Sequence, residues 1–289
     1  MTQNYYFLAA SLEDVRWGQD APQGTLAELI DYLEPNLLPD DRIAFRQLFL
    51  MSDMRNAISY HESDDNFVTP SCYDRETLME AAQTGGDVLP FLNEFFELLR
   101  SNSRAYPDIP LIDELSILFY DTIGTIDSRF VRDYYRRELD LRNLTIALSR
   151  ESQGFPYRER LIPRGDAYDA IMAANPPDFG LGAEFPFVEE LVRVFKTTDL
   201  TAHEQTLSRI RWNWLDERVG SEFFSIDFIL SYVIKYQSVA RWQTLSEEKG
   251  DELFGELLNA VRRSVRFSLE FSHIGDKEND GRTSSRDQQ

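Results

Sequence analysis

The amino-acid sequence predicts an all-α fold made of repeated helical bundles. Apolar residues recur at helical spacing through most of the chain, which is typical of amphipathic helices. A four-residue pattern also occurs twice, as Asp53-Met-Arg-Asn and Asp140-Leu-Arg-Asn, each time in the later part of a long predicted helix. Repeated helical units that bury their faces against one another explain both observations.

The first elements follow from apolar stripes and the residues that end them. Pro35 ends the first apolar stripe, at Leu26–Leu33, and Gly85-Gly86 interrupts the chain before the stripe at Phe91–Leu99. Tyr5–Leu8 is the one segment with a strand-like pattern. Helices are predicted over 25–33, about 42–60 and 88–100, with an acidic loop over 61–73.

The remaining elements are also helical in pattern. Helices are predicted over about 111–123, 128–151, 184–196, 200–217, 223–248 and 252–271, and a Gly/Pro-rich loop over 154–182 contains a short helix near 167–174. This pattern predicts bundles at 1–105, 106–182 and 183–272, followed by a disordered polar tail at 273–289; one continuous domain is the alternative.

Composition narrows the class of function. The 289 residues carry a net charge of −20, which opposes binding to nucleic acid or to anionic lipid. No apolar run approaches a membrane span, and the N-terminus lacks a signal peptide, so we expect no direct membrane insertion. The single cysteine, Cys72, indicates a reducing compartment, the cytoplasm. It is interpreted as an ordinary small residue, with a reactive thiol as the alternative.

The repeated pattern places polar side chains at the edge of an apolar face. We expect the Asp–Asn pairs to hydrogen-bond a neighbouring loop or helix end, because burial without partners is costly. A carboxylate base or metal ligand is the functional alternative, but neither copy has a nearby His or Glu to complete a ligand set. The repeated residues are Asp53, Arg55, Asn56, Asp140, Arg142 and Asn143.

Motifs for common chemistry are incomplete. Gly180-Leu-Gly182 begins like a dinucleotide fingerprint, but Phe185 occupies the position of the third glycine. His203-Glu204 begins like a zinc-binding helix, but Leu207 stands where the second histidine belongs. The loop His61–Asp65 is acidic enough to hold a cation, although a solvated loop is the favoured interpretation. The sequence therefore predicts no catalytic residue, no metal ligand and no cofactor.

One basic cluster stands apart from the acidic background. Arg262, Arg263 and Arg266 lie at helical spacing near the C-terminus. Pairing with nearby carboxylates is one interpretation. A helix surface that docks an acidic or carbonyl-rich partner is the other.

Three segments resemble a known family. The first segment is Phe130-Val-Arg-Asp-Tyr-Tyr-Arg-Arg-Glu-Leu-Asp-Leu-Arg-Asn-Leu-Thr-Ile-Ala-Leu-Ser-Arg150. It consists of an aromatic-rich helix, then Asp-Leu-x-Asn-Leu, and finally Leu-x-Arg, which ends at Arg150. This resembles the signature of the C/d-type subunits of V-type ATPases. The segment 223–242 resembles that family's last repeat, and Asn4–Leu12 resembles bacterial proteins related to these subunits. Residues 236–238 and 154–182 depart from the family pattern.

The resemblance implies a fold and a function. The family fold is a funnel of three similar helical bundles, and its role is a non-catalytic socket between the central stalk and the membrane rotor ring. The protein would then associate peripherally with a membrane through its complex, with the stalk and ring as partners. Two acidic regions, Glu62–Asp65 and Glu247–Glu252, are candidates for meeting basic loops of the ring. An adaptor of another complex and a helical hydrolase with a carboxylate site are the alternatives.

Overall fold

The structure, a computed structural model, describes residues 5–19, 22–174, 178–183 and 185–246. Within these ranges every regular element is a helix, which confirms the predicted all-α class. One compact unit reaches to Thr244. The predicted helix at 252–271, the tail at 273–289, the acidic region Glu247–Glu252 and the cluster Arg262, Arg263 and Arg266 lie outside the described residues.

Seven α-helices form the first part of the chain. They are α1 (Tyr6–Ala10), α2 (Leu26–Leu33), α3 (Pro39–Arg46), α4 (Leu50–His61), α5 (Arg75–Thr84), α6 (Pro90–Arg100) and α7 (Leu111–Asp121). The side chains of Thr25 and Glu28 form a capping box at the start of α2. Proline occupies the first turn of α3 and of α6, where its missing N–H costs nothing.

Two of these helices differ from the sequence-based expectation. The strand-like start of the chain is instead the short helix α1, and Tyr5, just before it, donates a backbone hydrogen bond to Phe224 in a distant segment. Helix α5 lies where no helix was predicted. Its start is fixed by Asp74, whose carboxylate accepts the backbone N–H of Thr77 at 2.8 Å.

The helix predicted over about 42–60 is divided. A 3₁₀ turn at Gln47–Phe49 separates α3 from α4. The carbonyl of Gln47 accepts a buried hydrogen bond from the hydroxyl of Tyr135, at 2.7 Å, which gives this carbonyl a partner outside the helix. A contact between distant parts of the chain therefore accompanies a break that local pattern did not predict.

Five further helices complete the described chain. They are α8 (Arg129–Ser152), α9 (Asp166–Ala173), α10 (Val188–Phe195), α11 (Leu200–Val219) and α12 (Ile226–Ser246). Their bounds lie within a few residues of the prediction, including the short helix in the Gly/Pro-rich region. No helix in the described ranges is long and apolar enough to cross a bilayer.

Two main apolar cores lie within this unit. The first buries residues of α2–α7, the beginning of α8 and the facing sides of α11 and α12. The second buries the later part of α8 with α9, α10 and the beginning of α11. The first core thus draws on helices from both sides of the boundary expected at residue 105. The division into three bundles stays a prediction.

Candidate interaction surface

The first Asp–Asn pair holds the loop that follows its own helix. The side chain of Asn56 donates to the carbonyl of Val68 at 3.0 Å and accepts the N–H of Val68 at 2.7 Å. The two carboxylate oxygens of Asp53 accept the N–H groups of Cys72 at 2.9 Å and Tyr73 at 3.1 Å. The pair therefore fixes the chain just before α5 begins.

The second pair makes the same kind of contacts later in the chain. Asn143 donates to the carbonyl of Ile162 and accepts the N–H of Ile162, both at 3.0 Å. Asp140 accepts the N–H of Ala167, in the first turn of α9, at 3.1 Å. Gly165 passes so close that an added Cβ would lie 3.0 Å from the Asp140 carboxylate. The first pair thus bonds loop residues, and the second bonds a loop residue and the first turn of α9, so each pair has a partner of the kind expected from the sequence.

These contacts make the buried carboxylates structural anchors. Burial raises the pKa of Asp53 to about 7, although the N–H groups of Cys72 and Tyr73 partly offset that rise. Glu114 is likewise buried, and it accepts the N–H of Ala105 at 2.8 Å and the Nε–H of Arg104 at 2.7 Å. Asp53, Asp140 and Glu114 therefore each hold a neighbouring segment in place by accepting backbone hydrogen bonds.

The arginines of the repeated pattern do not share one environment. Arg142 pairs with Asp113 at 2.5 Å, whereas Arg55 is exposed. Arg150 donates to the carbonyl of Pro156 and lies over the ring of Phe155 at 5.7 Å. The Asp–Asn contacts thus repeat between the two units, and the arginine contacts do not.

The other sequence candidates occupy structural roles or exposed positions. The ring of His203 stacks on Phe195 at 4.4 Å, and its Nε2 lies 2.9 Å from the carbonyl of Val194. The loop His61–Asp65 is exposed. In the described part of the chain, no group of three or more His, Cys, Asp or Glu residues is placed to hold a metal ion.

The cysteine is held in its protonated form. Cys72 is partly buried, and its pKa is raised to about 12, first by burial and then by the nearby Asp53 carboxylate. Because the thiolate is the reactive species, this environment opposes a role as a nucleophile. The ordinary interpretation of Cys72 therefore fits its surroundings.

Four exposed aromatic side chains lie together, two on α1 and two just before α12. We call these residues, Tyr6, Phe7, Phe223 and Phe224, the aromatic surface. Phe7 is 87% exposed and Phe223 is 53% exposed. The rings of Tyr6 and Phe224 contact each other with centroids 4.8 Å apart, and Tyr6 also contacts Phe7 at 5.7 Å. Aromatic side chains grouped in this way on a protein surface are typical of protein-binding sites.

Tyr5 fixes this surface to the body of the protein. Its N–H donates to the carbonyl of Phe224 at 2.7 Å, and its hydroxyl donates to Asp41 while accepting the N–H of Leu38 at 3.2 Å. Burial and the Asp41 carboxylate raise the pKa of Tyr5 to about 12, so the hydroxyl keeps its proton. The short helix α1 is consequently held between α3 and the start of α12.

A cavity of about 190 Å³ opens beside the aromatic surface. Phe223 lines it together with Ala9 of α1, and one face of α12 provides Phe228, Ser231, Tyr232 and Lys235. Lys235 pairs with Asp216 and lies over the ring of Trp212 at 5.1 Å. The volume is below the roughly 300 Å³ at which pockets for cofactors and drug-sized ligands begin.

Sequence reasoning did not identify this surface. Its members lie at opposite ends of the described chain, so only the fold brings them together. A local signal existed, however, because two short aromatic runs stand at the ends of elements: Tyr5-Tyr6-Phe7 at the start of α1 and Phe223-Phe224 just before α12. Clustered aromatics outside an amphipathic stripe were that signal.

Similarity to known proteins extends over most of the chain. The model of a family described as "Protein of unknown function (DUF2764)" matches residues 1–265. An uncharacterized protein of Chlamydia muridarum (strain MoPn / Nigg) is 24% identical over 272 residues, which cover 91% of this chain and 99% of the relative. No solved structure matches the chain.

The family match corrects the resemblance to the V-type ATPase subunits. The matching family is a different one, although its match includes the segment Phe130–Arg150 on which that resemblance depended. The assignment to the C/d-type subunits was therefore wrong. The pattern Asp-x-Arg-Asn, present as Asp53–Asn56 and Asp140–Asn143, has a local explanation, since its Asp and Asn anchor a loop in each helical unit.

Proposed function

Because the chain belongs to the DUF2764 family, whose description names no activity, we propose its function from the site: it is a non-catalytic subunit that binds another protein through the aromatic surface. The observation that carries this proposal is the exposure of Phe7 and Phe223 on a fixed part of the fold. Removing one such side chain from water contributes about 1.5–3 kcal/mol to association.

The rigidity of the surface supports a binding role. Association costs free energy when side chains and loops must be ordered, so a surface ordered beforehand binds more tightly. Tyr5 provides this order through three hydrogen bonds to Phe224, Leu38 and Asp41. A charge of −20 on the whole chain further favours partners with basic surfaces.

Photo-crosslinking tests the proposal directly. In the native host, p-benzoylphenylalanine replaces Phe7, and irradiation is followed by identification of the attached protein. Phe155 provides a matched control because it is 50% exposed but lies elsewhere, beside Arg150. We expect one protein to be attached in high yield from position 7 and not from position 155. Equal yields of many proteins from both positions would overturn the proposal.

A paired substitution provides the second readout. Phe7→Ser with Phe223→Ser should abolish recovery of the crosslinked protein in affinity purification, while Phe155→Ser should leave it unchanged. The circular dichroism spectrum of each variant should match the wild type, because these side chains are exposed. Retained recovery of the partner by the double variant would contradict the proposal.

The same experiment tests the narrower expectation from the sequence. That expectation was a socket in a V-type ATPase, with a funnel of three similar bundles, and it depended on the resemblance now corrected. If it holds, the protein attached at position 7 belongs to the rotor ring or the central stalk. An attached protein from any other assembly supports the adaptor alternative instead.

A further inference from the structure

The charges that border the aromatic surface are almost all negative. Three segments meet there: 5–14 contains α1, 220–228 contains Phe223 and Phe224, and 38–43 is joined to α1 through the hydroxyl of Tyr5. Together these segments carry one basic residue, Arg42, and six acidic residues: Glu13, Asp14, Asp40, Asp41, Glu222 and Asp227. Exposed rings and a negative potential therefore occur on the same part of the molecule.

Several of these carboxylates are free to meet a partner. Asp14 pairs with Arg16, and Asp227 pairs with Arg218. Glu13 and Glu222 are exposed, and in the ranges that the structure describes neither belongs to an ion pair. Glu222 immediately precedes Phe223, and Glu13 lines the same cavity as Phe223. Both carboxylates consequently lie next to one exposed aromatic ring.

The acidic border is a local property of this surface. Phe155 is also an exposed aromatic residue, but the guanidinium of Arg150 lies over its ring at 5.7 Å. The segment 150–160 around it carries more basic than acidic residues: Arg150, Arg158 and Arg160 against Glu151 and Glu159. A net charge of −20 on the chain thus does not surround every exposed ring with carboxylates.

The exposed rings extend over three parts of the fold. The hydroxyl of Ser11, just after α1, hydrogen-bonds the hydroxyl of Tyr32 on α2 at 2.7 Å, and Tyr32 is 47% exposed. Rings are therefore presented by α1, by α2 and by the residues before α12. The described part of the chain contains no strand, so it offers no sheet edge to which a partner strand could add. A helix, which binds through the side chains of one face, fits this surface instead.

We propose that the aromatic surface receives a basic amphipathic helix of the partner protein. The apolar face of that helix covers the rings of Phe7 and Phe223, and its Lys or Arg side chains lie beside Glu13 and Glu222. This inference rests on the proposed function and adds the chemistry of the partner. Exposed aromatic rings also suit a membrane surface, but the carboxylates around them repel anionic headgroups, which favours a protein.

Three fluorescein-labelled peptides of about 14 residues test the inference without knowledge of the partner. The first has leucine on one helical face and lysine elsewhere, and the second has glutamate in place of lysine. The third has the residues of the first in an alternating, strand-like order. Measured by fluorescence anisotropy with the full-length protein, the first should bind at least about tenfold more tightly than the others. Equal binding of the glutamate peptide or of the alternating peptide would overturn the inference.

Matched variants locate the binding. Glu13→Lys with Glu222→Lys should weaken binding of the first peptide about tenfold, because two attractions become repulsions. Glu151→Lys with Glu159→Lys is the control, since it changes two exposed carboxylates beside Phe155 and alters the net charge equally. Its binding should stay within about twofold of the wild type. Equal losses in the two variants would show that binding follows net charge alone, and would contradict the assignment.

The outcomes distinguish this inference from the proposed function. If one protein is attached from position 7 and its recovery survives Glu13→Lys with Glu222→Lys, the inference alone is overturned. If no protein is attached specifically from position 7, the proposed function itself is overturned. Sedimentation of the protein with phosphatidylglycerol vesicles, lost in Phe7→Ser with Phe223→Ser, would assign the surface to a membrane and overturn both.

Discussion

At the scale of single residues, Asp53 combines two opposing effects. Burial disfavours its charged form, whereas the N–H groups of Cys72 and Tyr73 favour it, each bonded to a separate oxygen. Burial is the larger effect, so the pKa rises to about 7. A carboxyl group that titrates near neutrality therefore lies at the junction between a loop and α5.

This shift predicts how stability depends on pH. The folded protein retains a proton on Asp53 between about pH 4 and pH 7, where the unfolded chain has released it, so the free energy of unfolding falls as pH rises through this window and levels off above it. The slope amounts to at most about 1.4 kcal/mol per pH unit. Asp53→Asn should remove this contribution, as measured by urea unfolding at several pH values.

The same change should also lower stability above about pH 7, where the wild-type side chain is a carboxylate with two acceptor oxygens. An asparagine offers one acceptor oxygen to two N–H donors, and one unsatisfied donor costs roughly 1–3 kcal/mol. Asp31→Asn, at an exposed position on α2, is the control and should keep the wild-type slope. Identical slopes for the wild type and Asp53→Asn would show that Asp53 does not titrate in this window.

At the scale of elements, each Asp–Asn pair closes a helix–loop–helix unit. The first joins α4 to α5 and the second joins α8 to α9. In both units the asparagine bonds both polar groups of one loop residue, as a neighbouring strand would. A loop that crosses apolar surface thereby keeps its backbone hydrogen bonds.

Removal of the asparagine should destabilise the second unit more than the first. Asn143→Ala leaves the N–H and carbonyl of Ile162 without their partner in a buried setting, with an expected cost of about 2–3 kcal/mol. Asn56→Ala should cost less, because Val68 is only partly buried and water replaces the lost bonds. Urea unfolding measures both differences.

An exposed asparagine on α11 provides the control for these variants. Asn213 is exposed, so Asn213→Ala should change the free energy of unfolding by no more than about 0.5 kcal/mol. If Asn143→Ala were as mild as Asn213→Ala, the loop would not depend on this contact.

The sequence predicted elements wherever local pattern decides them. Amphipathic stripes identified α2, α6, α8 and α11, and turn residues such as Gly85-Gly86 marked where a segment begins. Helix α5 was missed, although Asp74 supplies an ordinary capping signal. The split at Gln47–Phe49 could not be predicted locally, because its carbonyl partner is Tyr135.

The candidate site was less predictable than the fold. The Asp–Asn pairs were found because both partners lie on one helix face, and their hydrogen-bonding role followed from the cost of burial. The aromatic surface joins α1 to the start of α12, and no periodic pattern links such distant segments. For the cavity, the sequence contained one weak signal: the spacing of Phe228, Ser231, Tyr232 and Lys235 places them on one helix face. A helix face that mixes apolar and polar residues occurs in many environments, so this spacing does not identify a cavity.

At the scale of the whole molecule, the two apolar cores share helices α8 and α11. Helix α8 contributes Phe130 and Tyr135 to the first core and Leu144 and Leu148 to the second. Helix α11 is shared in the same way. Because a helix cannot unfold in its middle without losing contacts on both sides, the cores should behave as one cooperative unit.

Core substitutions test this cooperativity. Leu92→Ala in the first core and Ile171→Ala in the second should each cost about 2–5 kcal/mol, since both side chains are fully buried. If the cores unfold together, each substitution lowers hydrogen-exchange protection in α6 and in α10 by the same free energy. Faster exchange confined to α9 and α10 in Ile171→Ala would show that the second core opens alone. In that case the aromatic surface, which is attached to the first core through Tyr5, would stay intact while the second core is open.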